Sequence, residues 1–243
     1  MNRFGIGVAA LGAMLICVGC GTTTASSKVT ELRMVNVAPT APTLDLLIDN
    51  KTVFSAMAYG VPTAFANVAA TSHDFKLFDP AAATDVLDIP KETFVAGTSY
   101  TYLMVGDANS ATGIRVNQLV DDHTVADKGN FKLRVVNGSP NAGAVNVYIV
   151  GTSAVTTITG IASNTASAYQ SVASGGYPIY ISQGDHNTCL DTPLPVSCLV
   201  RLDGLNGRGL LSFQAGQNRT LIMVNQIPGG GTFTTLPMLA DLN

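Results

Sequence analysis

Charged residues are scarce in this 243-residue chain: Asp, Glu, Lys and Arg make up 12% of it, against 47% hydrophobic residues. The 13 Lys and Arg form no cluster, and the formal net charge of −3 becomes −4 once Arg3 is removed with a leader. Nucleic-acid binding depends on a basic face that releases counterions, so nucleic acid is excluded as a partner. Tryptophan is absent and tyrosine occurs seven times. That leaves no ladder of flat aromatic faces of the kind on which sugars stack, although Tyr59, Tyr148, Tyr169 and Tyr177 remain candidates. The three histidines, His73, His123 and His186, have no partner at metal-ligand spacing, and no His-Glu-x-x-His segment occurs. They read as solvent-facing or turn residues, and neither a metal nor a cofactor is expected.

A hydrophobic run long enough to span a bilayer is also missing. Residues 4–18 are apolar behind Arg3, which is the layout of a secretory signal peptide and falls short of the roughly 20 residues a spanning helix needs. The run ends Ile16-Cys17-Val18-Gly19-Cys20 and resembles a bacterial lipobox, with Cys17 standing where Leu is usual. Residues 1–19 are then a lipoprotein signal peptide, and Cys20 carries lipid (palmitate among the acyl chains) that holds the chain on a membrane at about 0.8 kcal/mol per buried methylene. The alternative is an ordinary signal peptide cut after Ala25. Gly21 is not the Asp of an inner-membrane retention signal, so the outer membrane is the expected address in a two-membrane organism. Residues 20–29 form the lipidated Cys and a flexible tether.

Few cysteines remain after that. Cys189 and Cys198 flank Leu-Asp-Thr-Pro-Leu-Pro-Val-Ser, a bent segment whose ends can meet, and export places the pair in an oxidising compartment. A local disulfide is predicted in preference to a metal site, which two thiols without nearby histidines serve poorly.

What the chain does have is a repeat. Leu32-Arg33-Met34-Val35-Asn36-Val37-Ala38-Pro39-Thr40-Ala41 aligns with Leu133-Arg134-Val135-Val136-Asn137-Gly138-Ser139-Pro140-Asn141-Ala142, followed by Leu44–Ile48 against Val145–Ile149. Further on, Phe75-Lys76-Leu77 matches Ile179-Tyr180-Ile181, and Thr101–Val105 matches Thr220–Val224. The offset grows along the repeat, so the second copy carries an insertion between Ile181 and Gly216 that contains the cysteine pair and belongs at the surface. Leu32, Met34, Leu44, Leu46 and Ile48 fall on one side of a period-2 pattern with Arg33 and Asp45 on the other, as in half-buried antiparallel strands. Pro39 and Pro140 end their strands and begin turns. Arg33 and Asp45 then become a possible exposed cross-strand pair.

With short strands, 24 Gly and 11 Pro, the reading is all-β: two tandem immunoglobulin-like β-sandwich domains after a signal peptide. Repeat 1 occupies residues 30–122, a polar linker residues 123–130, and repeat 2, with its disulfide loop insertion, residues 131–243.

The opening Leu-Arg-Val-Val-Asn-Gly-Ser-Pro-Asn-Ala with Val-Asn-Val-Tyr-Ile resembles that of an exported bacterial family known as domain of unknown function 4397. The resemblance implies tandem sandwich modules in an envelope lipoprotein, and it brings no catalytic residue.

Chemistry is thin. The neighbours His73-Asp74 and Asp185-His186 point to opposite faces of a strand and cannot form a triad. Gly229–Gly231 and Gly204–Gly209 lack the lysine and helix of a phosphate cradle. Asp79, Asp85, Asp88, Asp121 and Asp122 fit no standard calcium loop. The expectation is a non-enzymatic interaction or structural module, tethered to the membrane through its lipid, with an envelope protein or glycan as partner. A surface or periplasmic protein binding a glycan or small ligand is the alternative.

Overall fold

The computed structural model describes residues 28–111, 113–190, 196–204, 210–226, 233–236 and 238–242. Cys20 and the leader, the tether up to residue 27, the triglycine Gly229–Gly231 and most of Gly204–Gly209 lie outside the described residues. No helix among those described is long and apolar enough to cross a membrane.

The first half holds β1 (Val29–Asn36), β2 (Leu44–Ile48), β3 (Lys51–Met57), β4 (Ala66–Ala69), β5 (Ser72–Asp79), β6 (Thr84–Thr93), β7 (Ser99–Gly106) and β8 (Ile114–Val120). They form two sheets, β4-β1-β7-β8 and β3-β2-β5-β6. The second half holds β9 (Asn130–Asn137), β10 (Val145–Val150), β11 (Val155–Ile161), β12 (Thr165–Ala166), β13 (Gln170–Ala173), β14 (Gly175–Tyr177), β15 (Ile179–Ser182), β16 (Cys198–Leu202), β17 (Leu211–Phe213), β18 (Asn218–Asn225), β19 (Phe233–Thr235) and β20 (Leu239–Leu242). Here β12 and β13 flank β9, β9 pairs β18, and β18 pairs β19 and β20. The facing sheet is β11-β10-β15-β16, and β14 pairs β17. The fold is an all-β sandwich architecture in which both halves use the same order of strand pairings.

One expectation is corrected by this topology. The opening strands are not half of an antiparallel hairpin: β1 runs parallel to β7, and β9 parallel to β18. The turn at Pro39 carries the chain across to the other sheet, so β1 and β2 are not neighbours. Buried Asn36 fixes that turn, its Oδ1 accepting from Ala38 N at 3.0 Å and its Nδ2 donating to Met57 O at 3.3 Å. Asn137 does the same in the second half, donating to Gly143 O and Ile161 O and accepting from Ser139 N.

Alternation along the central strands distributes side chains to two different interiors. Leu32, Met34, Tyr100, Tyr102 and Met104 pack with Leu44, Leu46, Phe75 and Leu77 between the first pair of sheets. Phe131, Leu133, Val135, Leu221 and Met223 pack with Val147, Ile149, Ile179 and Ile181 between the second pair. The alternate residues do not face water. Val35, Leu103 and Val105 meet Val136, Ile222, Val224 and Leu239 in a third apolar cluster between the halves. Every residue of β7 is consequently buried.

Segment 123–130, expected as a polar linker, is tied down. Lys132 Nζ donates to Asp122 at 2.7 Å and to Thr124, and Asn218 Nδ2 donates to the carbonyls of Asp122 and Thr124. Burial works against the Asp122 charge, but Lys132 and Thr124 hold its carboxyl below the ordinary carboxylate range.

Candidate functional site

Among the described residues, the seam between the halves carries the largest buried charge cluster. Arg33 and Arg134, at matching positions of β1 and β9, share the seam-facing side of their strands with Val35 and Val136. Arg33 Nε donates to Thr101 Oγ1 at 2.7 Å, and Arg134 Nε to Thr220 Oγ1 at 2.9 Å. Each guanidinium then reaches into the opposite half: Arg33 Nη1 to Ala240 O at 2.9 Å, and Arg134 Nη1 to Val120 O at 3.0 Å. The carboxylates complete the exchange. Arg33 Nη2 bonds Asp241 and lies 3.3 Å from Asp121, while Arg134 Nη2 lies 2.6 Å from Asp121 and 3.9 Å from Asp241. Thr101 and Thr220 each donate to the carboxylate of their own half. Aromatic faces close the outer sides, with Phe65 4.6 Å from the Arg33 guanidinium and Tyr169 4.7 Å from that of Arg134.

This contact is reciprocal, as in an isologous dimer interface. Both carboxylate side chains are wholly buried and both arginines nearly so. Burial pushes the Asp121 carboxyl above the ordinary carboxylate range, against the pull of Arg33 and Arg134. Two cations and two anions balance, so the cluster is electrically neutral. Such a cluster adds little net stability over an apolar core, and its strength lies in fixing one orientation, because any misalignment strands a buried charge.

Two further hydrogen bonds cross the seam, and one close approach shows where the symmetry must break. Tyr59 donates to Asn225 O at 2.7 Å, and Asn117 Nδ2 to Asn164 O at 2.5 Å; burial pushes the Tyr59 phenol up to about 12. Val37 and Gly138 occupy matching positions and touch each other: a Cβ on Gly138 would sit 3.1 Å from the Val37 side chain and 3.0 Å from Met223 O. Only one of the two positions has room for a side chain.

Beside the seam, a cleft of about 290 Å³ is lined from both halves by residues that include Thr40, Asp107, Arg115, Asn141, Asn164 and Asn225. The Thr40 hydroxyl and Asn109 N–H hold the Asp107 carboxyl below its ordinary range. Asn164 is 8% exposed and its buried Oδ1 has no hydrogen-bond partner.

The proposed pair Arg33–Asp45 is not formed. Arg33 is 5% exposed and faces the seam, whereas Asp45 lies in the other sheet, where its Oδ1 accepts from Ala56 N at 2.8 Å and holds a bulge in β3. Asn146 does the same for Gly160 in β11. Cys189 and Cys198 are joined by a disulfide with Cα atoms 5.0 Å apart. Although its insertion was placed at the surface, Cys189 is fully buried against Tyr148 and Tyr180, while Leu190 and Val196 are exposed.

His73 also departs from the solvent-facing expectation. It is buried, with Nδ1 2.6 Å from Asp49 and Nε2 2.9 Å from Ala69 O and 3.0 Å from Thr71 Oγ1. Thr71, His73 and Asp49 thus follow the order of a hydrolytic triad. Yet one imidazole nitrogen faces a carboxylate and the other a carbonyl, both acceptors, a setting that favours the protonated ring over a free base. Burial opposes that charge, but the bonds to Asp49 and Ala69 raise the His73 pKa above its ordinary value and lower that of Asp49. His123 is exposed, and His186 opens a 3-10 turn, His186–Leu190.

The other candidates are structural. Asp79 caps its own turn through Ala81 N and Ala82 N, and Asp85 and Asp88 face Lys76. Among the described residues no three metal-ligating side chains gather. Tyr148 and Tyr177 donate to carbonyls and Tyr169 to Asp241, so these rings are packed in place.

The family model of a domain of unknown function (DUF4397) matches residues 30–148. Over these residues the chain is similar to that family. The match takes in the whole first half and continues through β9 into β10, so it includes both copies of the Leu-Arg-x-Val-Asn opening, Leu32–Asn36 and Leu133–Asn137. In both copies of this opening, Leu and the residue after Arg go to the sandwich core, Arg and Val to the seam, and Asn to the turn. No curated protein matches the chain.

Proposed function

We propose that the chain is a lipid-anchored, non-catalytic lipoprotein of the bacterial cell envelope, in which two immunoglobulin-like β-sandwich domains act as one rigid interaction or structural module. The observation that carries the rigid-module reading is the reciprocal Arg33–Asp241 and Arg134–Asp121 exchange, which spends the buried charges on fixing the halves together. The anchor rests on the Ile16–Cys20 segment and the outward address on Gly21. Mass spectrometry of the mature chain tests it. The expected result is an acylated Cys20 at the N-terminus, retention in the membrane fraction, and release by Cys20→Ser; an unmodified Cys20 in a freely soluble mature protein overturns the anchor. Cross-linking on intact cells, followed by identification of envelope proteins joined to the chain, tests the module.

The seam cleft favours a second reading, a binder of a small hydroxylated ligand such as a glycan unit. Its polar lining supports that reading. Calorimetric titration with neutral mono- and disaccharides, against Asn164→Ala and Arg115→Ala, separates the two.

A further inference from the structure

The second half presents an edge that the first half does not. From Val135 to Gly184 the chain contains no Asp, Glu, Lys, Arg or His, a stretch running from within β9 through β15. The matching stretch of the first half holds Asp45, Asp49, Lys51, His73, Asp74, Lys76 and Asp79. Natural edge strands are commonly guarded by charge, bulges or a covering loop, because their free N–H and C=O groups template pairing with another chain.

The sheet β11-β10-β15-β16 has two edges. At the β16 edge stand the disulfide-closed 3-10 turn and the Arg201–Asp203 pair. The β11 edge has neither charge nor a hydrogen-bonded neighbour on its outer side among the described strands. Val150 N donates to Pro178 O, away from β11, so antiparallel alternation turns the backbone groups of its partner Val155, and of Thr157 two residues on, outward. Hollows of about 610 Å³ and 350 Å³ flank the strand, one lined through Thr156 and the other through Thr157, and neither lining includes a charged residue. The bulge near Gly160 ends the straight run at Ile158.

We propose that β11 is a self-association edge, on which Val155–Thr157 of one copy pairs antiparallel with the same run of a second copy, Thr156 facing its own counterpart. The occupant is a second copy for reasons of charge and shape. The chain is net acidic, and an edge without charge brings no like-charge repulsion to the contact when it meets its own copy. A strand meeting itself closes a two-fold contact, and the β-branched Val155, Thr156 and Thr157 favour extended cross-strand pairs. Three residues a side make the association weak and reversible. It holds with or without the Cys20 anchor, so its failure leaves the anchored-module reading untouched.

Sedimentation equilibrium of the full mature chain with Cys20→Ser, from about 10 μM to about 1 mM, tests it in the range of weak interfaces. A concentration-dependent dimer is expected, with Thr157→Lys weakening it by about tenfold or more. In a separate arm, Thr156→Cys gives a disulfide-linked dimer on a non-reducing gel, while Thr52→Cys, on β3, the edge strand of the matching sheet, stays monomeric. A chain that remains monomeric throughout, a dimer unaffected by Thr157→Lys, or equal cross-linking by Thr52→Cys overturns the proposal. If Thr156→Cys misfolds by circular dichroism, the sedimentation of wild type against Thr157→Lys decides alone.

Discussion

Replacing Arg33 by Ala removes four hydrogen-bonded or ionic contacts and leaves two fully buried carboxylates, Asp121 and Asp241, around the single guanidinium of Arg134. The loss of a few hydrogen bonds is the smaller effect. The larger one is the uncompensated buried charge, and breaking such a pair from one side costs about 3–5 kcal/mol. With a urea slope of about 2–3 kcal/mol/M for a chain of this size, the midpoint falls by about 1–2 M. The chain has no tryptophan, so far-UV circular dichroism and tyrosine fluorescence are the probes. Because the seam is reciprocal, Arg134→Ala loses about the same amount. The diagnostic variant is Arg33→Ala combined with Asp241→Asn: it removes the stranded charge and recovers about 1–2 kcal/mol relative to Arg33→Ala alone. A midpoint unchanged to within about 0.5 kcal/mol, the ordinary range of surface substitutions, refutes the argument. So does a double variant whose losses simply add.

Gly138→Val overfills the seam and is expected to cost about 1–3 kcal/mol, whereas Val37→Gly in the same chain restores most of it, as thermal denaturation of the single and double variants will show. Reducing Cys189–Cys198 opens a short loop and lowers stability by about 2–3 kcal/mol; hydrogen exchange with and without reductant should place that loss on β15 and β16 and leave β1 to β8 unaffected. The His73–Asp49 contact sets a pH dependence. His73 is raised, so its contribution is complete below the ordinary histidine value of about 6.5 and is lost as pH climbs through the folded value. Asp49 is lowered, so its share is present above about pH 4 and lost in stronger acid. Urea stability of the wild type should therefore decline above about pH 6.5, and His73→Gln should remove that slope.

The sandwich was legible because alternation in Leu32-Arg33-Met34 and Leu133-Arg134-Val135 marks a strand with one apolar face, and because the two copies align. The same alternation misled on Arg33. A charged residue on the second face of a strand ordinarily means water, but here a second pair of sheets covers that face, and the partners Asp121 and Asp241 lie 88 and 208 residues away, beyond any local spacing rule. A signal was present nonetheless: Arg33 shares its face with Val35, and Arg134 with Val136, so the face that carries the charge is apolar in both copies. Asp45 could not be assigned from spacing because its task is to hold the backbone of Ala56 at a bulge, and Asn146 does it equally well without charge. The parallel β1–β7 pairing was illegible for another reason, since the number of residues between two strands does not say on which sheet the chain returns. His73 was misread because its partner Asp49 sits in a preceding turn and not beside it.

The seam also sets an order of events during synthesis. As the chain emerges N-terminus first, Arg33, Val35, Leu103 and Val105 are made long before Asp241 and Leu239, which must cover them. The first half therefore spends the interval with an apolar face and an under-matched guanidinium turned to its surroundings. That face is covered only when β20 pairs with β18 and closes the charge circuit begun more than two hundred residues earlier.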